Sequence, residues 1–178
     1  MSKLRTPVNK NDHQTGNLKA KIILVEYGDY QCPHCGIAYP LIKQLLKQFG
    51  EELLFVFRNF PLEEIHPAAR IAAQAAEAAS MQDQFWRMHD LIYEDQGKLS
   101  PQFLIQCAVK LKLNENKFST DSTSDTVLSK IESDFDGGIE SGVNGTPSFF
   151  LNGNKLNNYD ESYASLAKAV MSVKLSKV

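Results

Sequence analysis

Two cysteines, Cys32 and Cys35, stand three positions apart where an apolar run gives way to a helical pattern. The run at residues 22–25 (Ile-Ile-Leu-Val) is typical of a buried strand, and apolar residues recur at helical spacing over residues 37–46. This order predicts a strand, a tight turn and two thiols on the first turn of a helix. We expect Cys32 at the N-cap and Pro33 at the first helical position, where the missing N–H of proline costs nothing.

Helix geometry predicts that the first of the two thiols is the more reactive one. Unpaired backbone N–H groups and the positive end of the helix dipole point at the Cys32 sulfur. This favours the thiolate, which is the nucleophilic form. The sulfurs of Cys32 and Cys35 are near enough on one helical turn to form a disulfide, and His34 between them adds a favourable charge if it is protonated. We interpret Cys32 as a nucleophile and Cys35 as the resolving thiol of a redox pair.

Zinc binding and a purely structural disulfide are the other interpretations of this spacing. Zinc requires about four ligands, and the chain offers one further cysteine, Cys107, and four histidines without a second paired cluster. A disulfide that closes so small a loop would restrict the unfolded chain little. Redox chemistry is therefore preferred, and neither a metal nor a bound cofactor is expected. Cys107 lies on the apolar face of a predicted helix and is interpreted as a core thiol, with a resolving or sensing role as the alternative.

Three further polar residues require an interpretation. Glu26 lies six residues before Cys32 in an otherwise apolar strand. One interpretation is a solvated carboxylate at a strand edge. The preferred one is a buried acid beneath the cysteine pair, with a raised pKa, that relays a proton for Cys35. Arg58 ends a predicted strand and His66 starts a predicted helix, so capping or solvation explains both.

The remaining pattern predicts strands and helices in a definite order. Apolar strands at residues 19–27 and 53–58 flank the cysteine-bearing helix, and together they form a right-handed strand–helix–strand unit. Helical patterns follow over residues 63–137. Strand character returns at residues 147–151, and Asn152-Gly153 is typical of a hairpin turn.

Two boundaries of this layout depend on polar and glycine residues. The polar residues 1–17 are predicted to be an extended arm that packs loosely on the domain, with His13 as a turn residue. The last helix of the helical block is expected over residues 125–136, ending at Gly137-Gly138.

Specific motifs at both ends of this layout resemble the DsbA family of thiol–disulfide oxidoreductases, within the thioredoxin superfamily, and its DsbD-like bacterial branch. The motifs are Cys-Pro-His-Cys at residues 32–35, preceded by Val-Glu-Tyr-Gly-Asp-Tyr at residues 25–30, and Gly-Thr-Pro-Ser-Phe-Phe at residues 145–150. Weaker similarities lie at residues 66–69, 85–90 and 152–153. The resemblance covers about residues 6 to 170.

This resemblance implies an α/β fold, namely a thioredoxin-like fold with an all-helical insertion. The predicted thioredoxin-like domain is discontinuous and comprises residues 18–62 and 138–178. The helical insertion comprises residues 63–137, and the extended N-terminal arm comprises residues 1–17.

The resemblance also implies how the site is completed. It indicates that the Thr146–Pro147 peptide bond is cis, which would place the Thr146 backbone beside the Cys32 sulfur. There it could pair with an extended substrate chain by β-augmentation. The dipeptide Pro33-His34 matches DsbA and points towards an oxidising pair, because a stabilised thiolate stabilises the reduced form.

The resulting hypothesis is an enzyme that exchanges disulfides with protein cysteines through a mixed disulfide of Cys32. Two alternatives stay open at this point. One is a redox-switched peptide-binding or chaperone-like module without turnover, and the other is a cytosolic thioredoxin-like reductase or isomerase. A glutathione-dependent enzyme on the same fold usually lacks the second thiol, so Cys35 disfavours it. The expected partners are protein thiols and disulfides, together with a redox partner such as glutathione or a reductase.

Charge and hydropathy exclude other classes of partner. The net charge of −2 argues against nucleic acid and against an anionic membrane surface, and no apolar run approaches the 18 or more residues of a membrane span. Residues 1–17 lack the apolar core of a secretion signal. We therefore expect a cytoplasmic protein if Met1 is the native start, and a periplasmic or extracytoplasmic one if a signal peptide has been removed.

Overall fold

The computed structural model describes residues 2–175, which form a five-stranded mixed sheet and seven α-helices. The strands lie in the order β1-β3-β2-β4-β5 across the sheet. They are β1 (His13–Gly16), β2 (Ile22–Gly28), β3 (Leu53–Asn59), β4 (Ser148–Leu151) and β5 (Asn154–Lys155). The helices are α1 (Pro33–Phe49), α2 (Ala69–Ser80), α3 (Phe85–Glu94), α4 (Pro101–Lys110), α5 (Glu115–Asp121), α6 (Asp125–Glu140) and α7 (Tyr163–Leu175), with a 3₁₀ turn at Gln96–Lys98.

Strand β2 is the centre of the sheet. It pairs in parallel with β3 and antiparallel with β4, and β1 pairs antiparallel with the far side of β3. The predicted strand–helix–strand unit is β2-α1-β3, and its parallel pairing is confirmed. Because β4 runs opposite to β2 and β3, the ends of β2 and β3 and the start of β4 meet at one edge of the sheet. The N-terminus of α1 lies at this edge, which we call the active edge.

Both faces of the central strands are covered, which explains their nearly continuous apolar sequence. Every residue of β3 is buried. One face packs against α1, α2, α3 and α7 in the main core. The other face forms a smaller cluster that includes Tyr27, Phe60 and Phe150, with Phe135 of α6 packed against it.

The sequence predicted that helix α6 ends at Gly137-Gly138, but the helix continues to Glu140. The two glycines serve close packing rather than termination. A Cβ on Gly138 would lie 2.6 Å from Cδ2 of Phe60, and a Cβ on Gly137 would lie 2.9 Å from Oγ1 of Thr6. Phe60 and Thr6 therefore occupy the space that larger side chains at Gly138 and Gly137 would need.

The hairpin predicted at Asn152-Gly153 is confirmed. It joins β4 to β5, and both turn residues have positive φ, 46° for Asn152 and 80° for Gly153. Two positive φ values in succession suit the twist of the flanking strands, and Asn-Gly adopts them readily.

The N-terminal residues pack more tightly than predicted. His13 lies in β1 rather than in a turn. Its ring stacks on Phe85, and its Nε2 lies 2.8 Å from Oε1 of Glu77. Arg58, predicted to be capping or solvated, is 2 % exposed, and its Nε donates to Oδ1 of Asp12 at 2.8 Å. The polar sequence of β1 gave no strand signal, because the contacts that hold His13, with Glu77 and Phe85, are distant in sequence.

The proposed division into a thioredoxin-like domain and a helical insertion stays a prediction. Helix α6 runs across the boundary that had been placed between residues 137 and 138. None of the helices between residues 2 and 175 combines the length and the apolar character that crossing a membrane requires.

Candidate active site

Cys32 occupies the N-cap of α1, as predicted, with extended backbone angles (φ −67°, ψ 123°) and Pro33 directly after it. Its thiol lies 3.3 Å from the carbonyl oxygen of Thr146 and can donate to it. The pKa of Cys32 is lowered to about 5. The hydrogen bond from the Cys35 thiol contributes most to this shift, and the backbone N–H groups of His34 and Cys35 add to it against an opposing effect of burial. At neutral pH the Cys32 sulfur is therefore a thiolate.

Cys35 is fully buried one helical turn further on, whereas Cys32 keeps an exposed fraction of 3 %. Burial raises the pKa of Cys35 well above its ordinary value, and the neighbouring Cys32 and Glu26 raise it further. The Cys35 sulfur also accepts a hydrogen bond from the backbone N–H of Asp29 at 3.4 Å. The two thiols thus have pKa values displaced in opposite directions, so one is ionised and the other protonated over the neutral range.

Glu26 points into the protein from the middle of β2 and is 3 % exposed. Burial raises its pKa to about 8, with a further contribution from the negative charge of Cys32. These features contradict the interpretation of a solvated carboxylate at a strand edge. The proton relay to Cys35 stays a prediction.

The Thr146–Pro147 peptide bond is cis, as predicted, and Pro147 directly precedes β4 at the active edge. This position brings the Thr146 carbonyl to the Cys32 sulfur. Pairing of the Thr146 backbone with an extended substrate chain stays a prediction.

His34 lies between the cysteines and is exposed, with its Nδ1 2.6 Å from Oε1 of Glu161. Glu161 belongs to the loop before α7 and has a positive φ of 63°. No sequence pattern pointed to this pair, since 127 positions separate the two residues.

A contact between a carboxylate and an imidazole that the sequence analysis missed lies next to Cys35. The carboxylate of Asp29 is buried, with one oxygen 2.7 Å from Nδ1 of His66 and 2.9 Å from the backbone N of Leu62. His66 is therefore neither a cap nor a solvated side chain. The carboxylate of Asp29 holds the loop after β3, and the backbone N–H of Asp29 donates to the Cys35 sulfur. Asp29 therefore links that loop to the cysteine pair.

The side chain of Gln96 forms a second unpredicted contact, with the turn at residues 29–32 that joins β2 to α1 and that we call the cysteine turn. Its Nε2 donates to the carbonyl oxygens of Tyr30 and Cys32, at 2.9 and 2.8 Å. Its Oε1 lies against Gly36, where a Cβ would come within 2.4 Å of that oxygen.

The buried face of α3 packs beside this turn. Phe85, Met88 and Ile92 are buried, and His89 lies among them with its Nδ1 3.0 Å from the hydroxyl of Tyr30. Burial lowers the pKa of His89 to about 3, so this ring is neutral at physiological pH.

The third cysteine, Cys107, lies on a different helix from Cys32 and Cys35. Cys107 is buried in α4, and burial raises its pKa. Among residues 2–175, no group of three or more histidine, cysteine, aspartate or glutamate side chains is placed to hold a metal ion.

Comparison with known proteins gives the fold an independent basis. Residues 8–171 match the model of the family described as Thioredoxin. The oxidised BdbD of Bacillus subtilis superimposes with a TM-score of 0.83 at 23% identity, over 96% of this chain and 97% of that one. A thioredoxin-like oxidoreductase of Silicibacter pomeroyi gives 0.83 at 24% identity, over 93% and 94%. The thiol-disulfide exchange protein alpha-DsbA2 of Wolbachia pipientis gives 0.79 at 22% identity, over 93% and 88%. The predicted thioredoxin-like fold and its DsbA-like architecture are confirmed.

Curated relatives of higher identity are much longer proteins. The chain is 42% identical to the Na(+)/H(+) antiporter NhaA 1 of Salinispora arenicola. The aligned 153 residues cover 85% of this chain and 23% of that protein. It is 38% identical to the Na(+)/H(+) antiporter NhaA 3 of Salinispora tropica, over 95% of this chain and 26% of that protein. The chain thus spans about a quarter of the length of these relatives.

Proposed function

The chain belongs to the Thioredoxin family, and from this premise we propose that it is a thiol–disulfide oxidoreductase acting on cysteines of other proteins. The observation that carries the proposal is the opposite displacement of the two thiol pKa values at the N-terminus of α1. An ionised outer sulfur and a protonated inner one are what a nucleophile and a resolving thiol require.

In the oxidising direction the protein starts with a Cys32–Cys35 disulfide. A substrate thiolate attacks the Cys32 sulfur, the Cys32–Cys35 bond breaks, and Cys35 leaves as a thiolate that takes up a proton. A second substrate thiolate then attacks the substrate sulfur of the mixed disulfide, which releases Cys32 as its stabilised thiolate. The substrate loses two electrons and gains a disulfide, and the cysteine pair gains the two electrons.

In the reducing direction the same bonds form and break in reverse. The Cys32 thiolate attacks a substrate disulfide and expels one substrate thiolate. Cys35 then loses its proton and attacks Cys32, which releases the second substrate thiolate and closes the Cys32–Cys35 disulfide. The low pKa of Cys32 stabilises the reduced pair, so the oxidising direction is favoured.

Glu26 and the Thr146–Pro147 segment have supporting roles in this proposal. Cys35 must lose a proton in a site where burial opposes ionisation, and a buried carboxylate with a pKa of about 8 is able to accept or return that proton. The Thr146 carbonyl lies beside the reacting sulfur. An extended substrate chain could pair there with the Thr146 backbone while its cysteine reaches Cys32.

Reduction of insulin and reactivation of a scrambled disulfide protein test the proposal. We expect turnover by the wild-type protein and by Cys107→Ser, and none by Cys32→Ser. We expect Cys35→Ser to accumulate a mixed disulfide through Cys32, since no thiol remains to resolve it. Full turnover by Cys32→Ser would overturn the proposal. Peptide binding by the wild-type protein without any turnover would instead support a redox-switched binding module.

A further inference from the structure

A groove lies at the active edge of the sheet, and one of its walls belongs to a segment that contacts the cysteine turn. Its volume is about 640 Å³, and its walls are the loop from Pro61 to Ile65, the middle of α6 (residues 131–136) and Arg70 of α2. The loop wall belongs to a segment that is hydrogen-bonded to the cysteine turn, since the backbone N of Leu62 donates to Asp29 and that of Ala68 to Gln31. Gln31 directly precedes Cys32.

The chemistry of the groove is an apolar floor within an acidic rim. Leu62, Ile65 and Phe135 supply apolar surface, and Ile65 is 68 % exposed. The charged residues of the lining are Glu63, Glu64, Glu132, Asp136 and Arg70.

The rim keeps an excess of negative charge. Arg70 forms ion pairs with Glu63 and Glu132, at 2.9 and 3.3 Å. Glu64 and Asp136 take part in no ion pair among the described residues. Two carboxylates therefore remain beside an apolar floor without a cation.

We propose that this acidic groove binds an extended segment of the substrate polypeptide that carries an apolar side chain next to a lysine or arginine. The apolar side chain would cover Ile65 and Phe135, and the cationic one would meet Glu64 and Asp136. A second copy of this chain, docked groove to groove, would place acidic rim on acidic rim and is disfavoured by repulsion. The inference rests on the proposed function, because it names the class of substrate that reaches Cys32.

Binding of labelled peptides without cysteine tests the groove apart from turnover. We would measure the fluorescence anisotropy of a ten-residue peptide with a central Leu-Phe pair flanked by lysines, and of a partner peptide with glutamates in place of the lysines. We expect the lysine peptide to bind at least tenfold more tightly, with an affinity that falls as salt is added.

Variants locate the site of binding. Ile65→Ser is expected to weaken the lysine peptide about tenfold, as the loss of one buried aliphatic side chain implies. Its matched control, Ile105→Ser, changes a residue that is 52 % exposed on α4 and is expected to bind normally. Glu64→Gln should reduce the preference for lysine over glutamate, whereas Glu51→Gln should not.

Three results would overturn the proposal that the groove binds substrate. They are equal binding of the two peptides, equal effects of Ile65→Ser and Ile105→Ser, and self-association of the chain that Ile65→Ser abolishes. Failure of the proposed function would look different, because insulin and the scrambled protein would then show no turnover even where peptide selectivity is intact.

A separate observation concerns Gln96, whose single amide nitrogen bridges the carbonyl oxygens of Tyr30 and Cys32. These carbonyls belong to the turn that carries the nucleophile into α1. We infer that Gln96 is a positioning residue that holds this turn so that the N–H groups of His34 and Cys35 stay aimed at the Cys32 sulfur. Gly36 leaves room for the Gln96 side chain, since a Cβ there would meet its Oε1 at 2.4 Å.

Titration of the thiolate absorbance at 240 nm and redox equilibration with glutathione test this role. Gln96→Leu removes the donor, so we expect the Cys32 midpoint to rise. The equilibrium should shift roughly tenfold towards the disulfide, which is about 30 mV in potential. Gln106→Leu, at an exposed position of α4, is the control and should match the wild type.

A double-mutant cycle separates positioning from a general loss of structure. Gly36→Ala displaces the Gln96 side chain, so it should reproduce the shift of Gln96→Leu, and the double variant should shift no further. Additive shifts, or an unchanged Cys32 midpoint in Gln96→Leu at intact thermal stability, would overturn the role of Gln96.

Discussion

At the scale of single residues, the two sulfurs differ because the fold gives them different surroundings. Cys32 lies at a helix N-terminus among hydrogen-bond donors, which favour its ionised form. Cys35 lies one turn deeper, where burial and the charge of Glu26 oppose ionisation. A sequence motif identifies both residues, but the displacement of each pKa depends on what folds over them.

Glu26→Gln should remove a dependence of stability on pH. The pKa of Glu26 is about 8 in the folded protein and near 4.5 when unfolded, so the folded state binds the proton more tightly. Its contribution is fully present below about pH 4.5 and is lost as pH rises through about 8. The loss on ionisation is on the order of a few kcal/mol, and the glutamine variant should not show it.

Urea unfolding of the oxidised proteins from pH 5 to 9 measures the part of this difference that burial of Glu26 causes, because the disulfide removes the Cys32 thiolate that also raises the pKa of Glu26. Glu26→Gln should gain free energy of unfolding relative to the wild type as pH rises. Parallel profiles for the two proteins would contradict a buried, titrating Glu26. The proton relay is tested in the same variant by the rate at which Cys35 resolves a mixed disulfide, which should fall and lose its pH dependence.

At the scale of elements, apolar patterns predicted the strands and helices that have a local sequence signature. They did not predict the elements whose position depends on residues distant in sequence. The unit β2-α1-β3 was predictable because buried parallel strands and a capped helix each have a local signature. Strand β1 was not, because its residues are polar and its His13 is held by Glu77 and Phe85 from elsewhere in the chain. The end of α6 was misplaced for the same reason, since the neighbours of Gly138 come from β2 and from the loop after β3.

Gly138→Ala should destabilise the protein by about 1–3 kcal/mol, as overpacking of a filled interior does. Its added methyl group would lie 2.6 Å from Phe60 and 3.1 Å from Tyr27, both of which are buried. Gly97→Ala is the matched control, because nothing lies within 4 Å of a Cβ at that position. Chemical denaturation of both variants measures the difference, and equal stabilities would contradict the packing described for α6.

At the scale of the whole molecule, buried polar contacts join segments that are distant in sequence. Asp29 and His66 tie the cysteine turn to the loop after β3, and Gln96 ties it to the 3₁₀ turn before α4. Arg58 holds residues before β1 through Asp12 and the carbonyl of Thr6. None of these contacts has a periodicity or a motif, so sequence patterns identify the cysteine pair but not the framework around it.

Asp12→Asn should destabilise the protein by roughly 3–5 kcal/mol, because it leaves the guanidinium of Arg58 buried without its counterion. The side chains of this pair are 2 % and 4 % exposed. Glu52→Gln breaks the exposed ion pair with Lys174 and should cost less than about 1 kcal/mol. Thermal and urea unfolding compare the two variants, and a similar cost for both would show that Arg58 is solvated in solution.

Redox titration of the wild-type protein against glutathione tests most directly whether Cys32 and Cys35 form a functional redox pair. The Cys32–Cys35 disulfide would be counted by alkylation of free thiols and mass spectrometry. We expect one two-electron transition at a potential above the value of about −270 mV for thioredoxin, because the Cys32 thiolate stabilises the reduced form. A transition at or below that value would contradict a stabilised thiolate, and no disulfide at any glutathione ratio would contradict the redox pair itself.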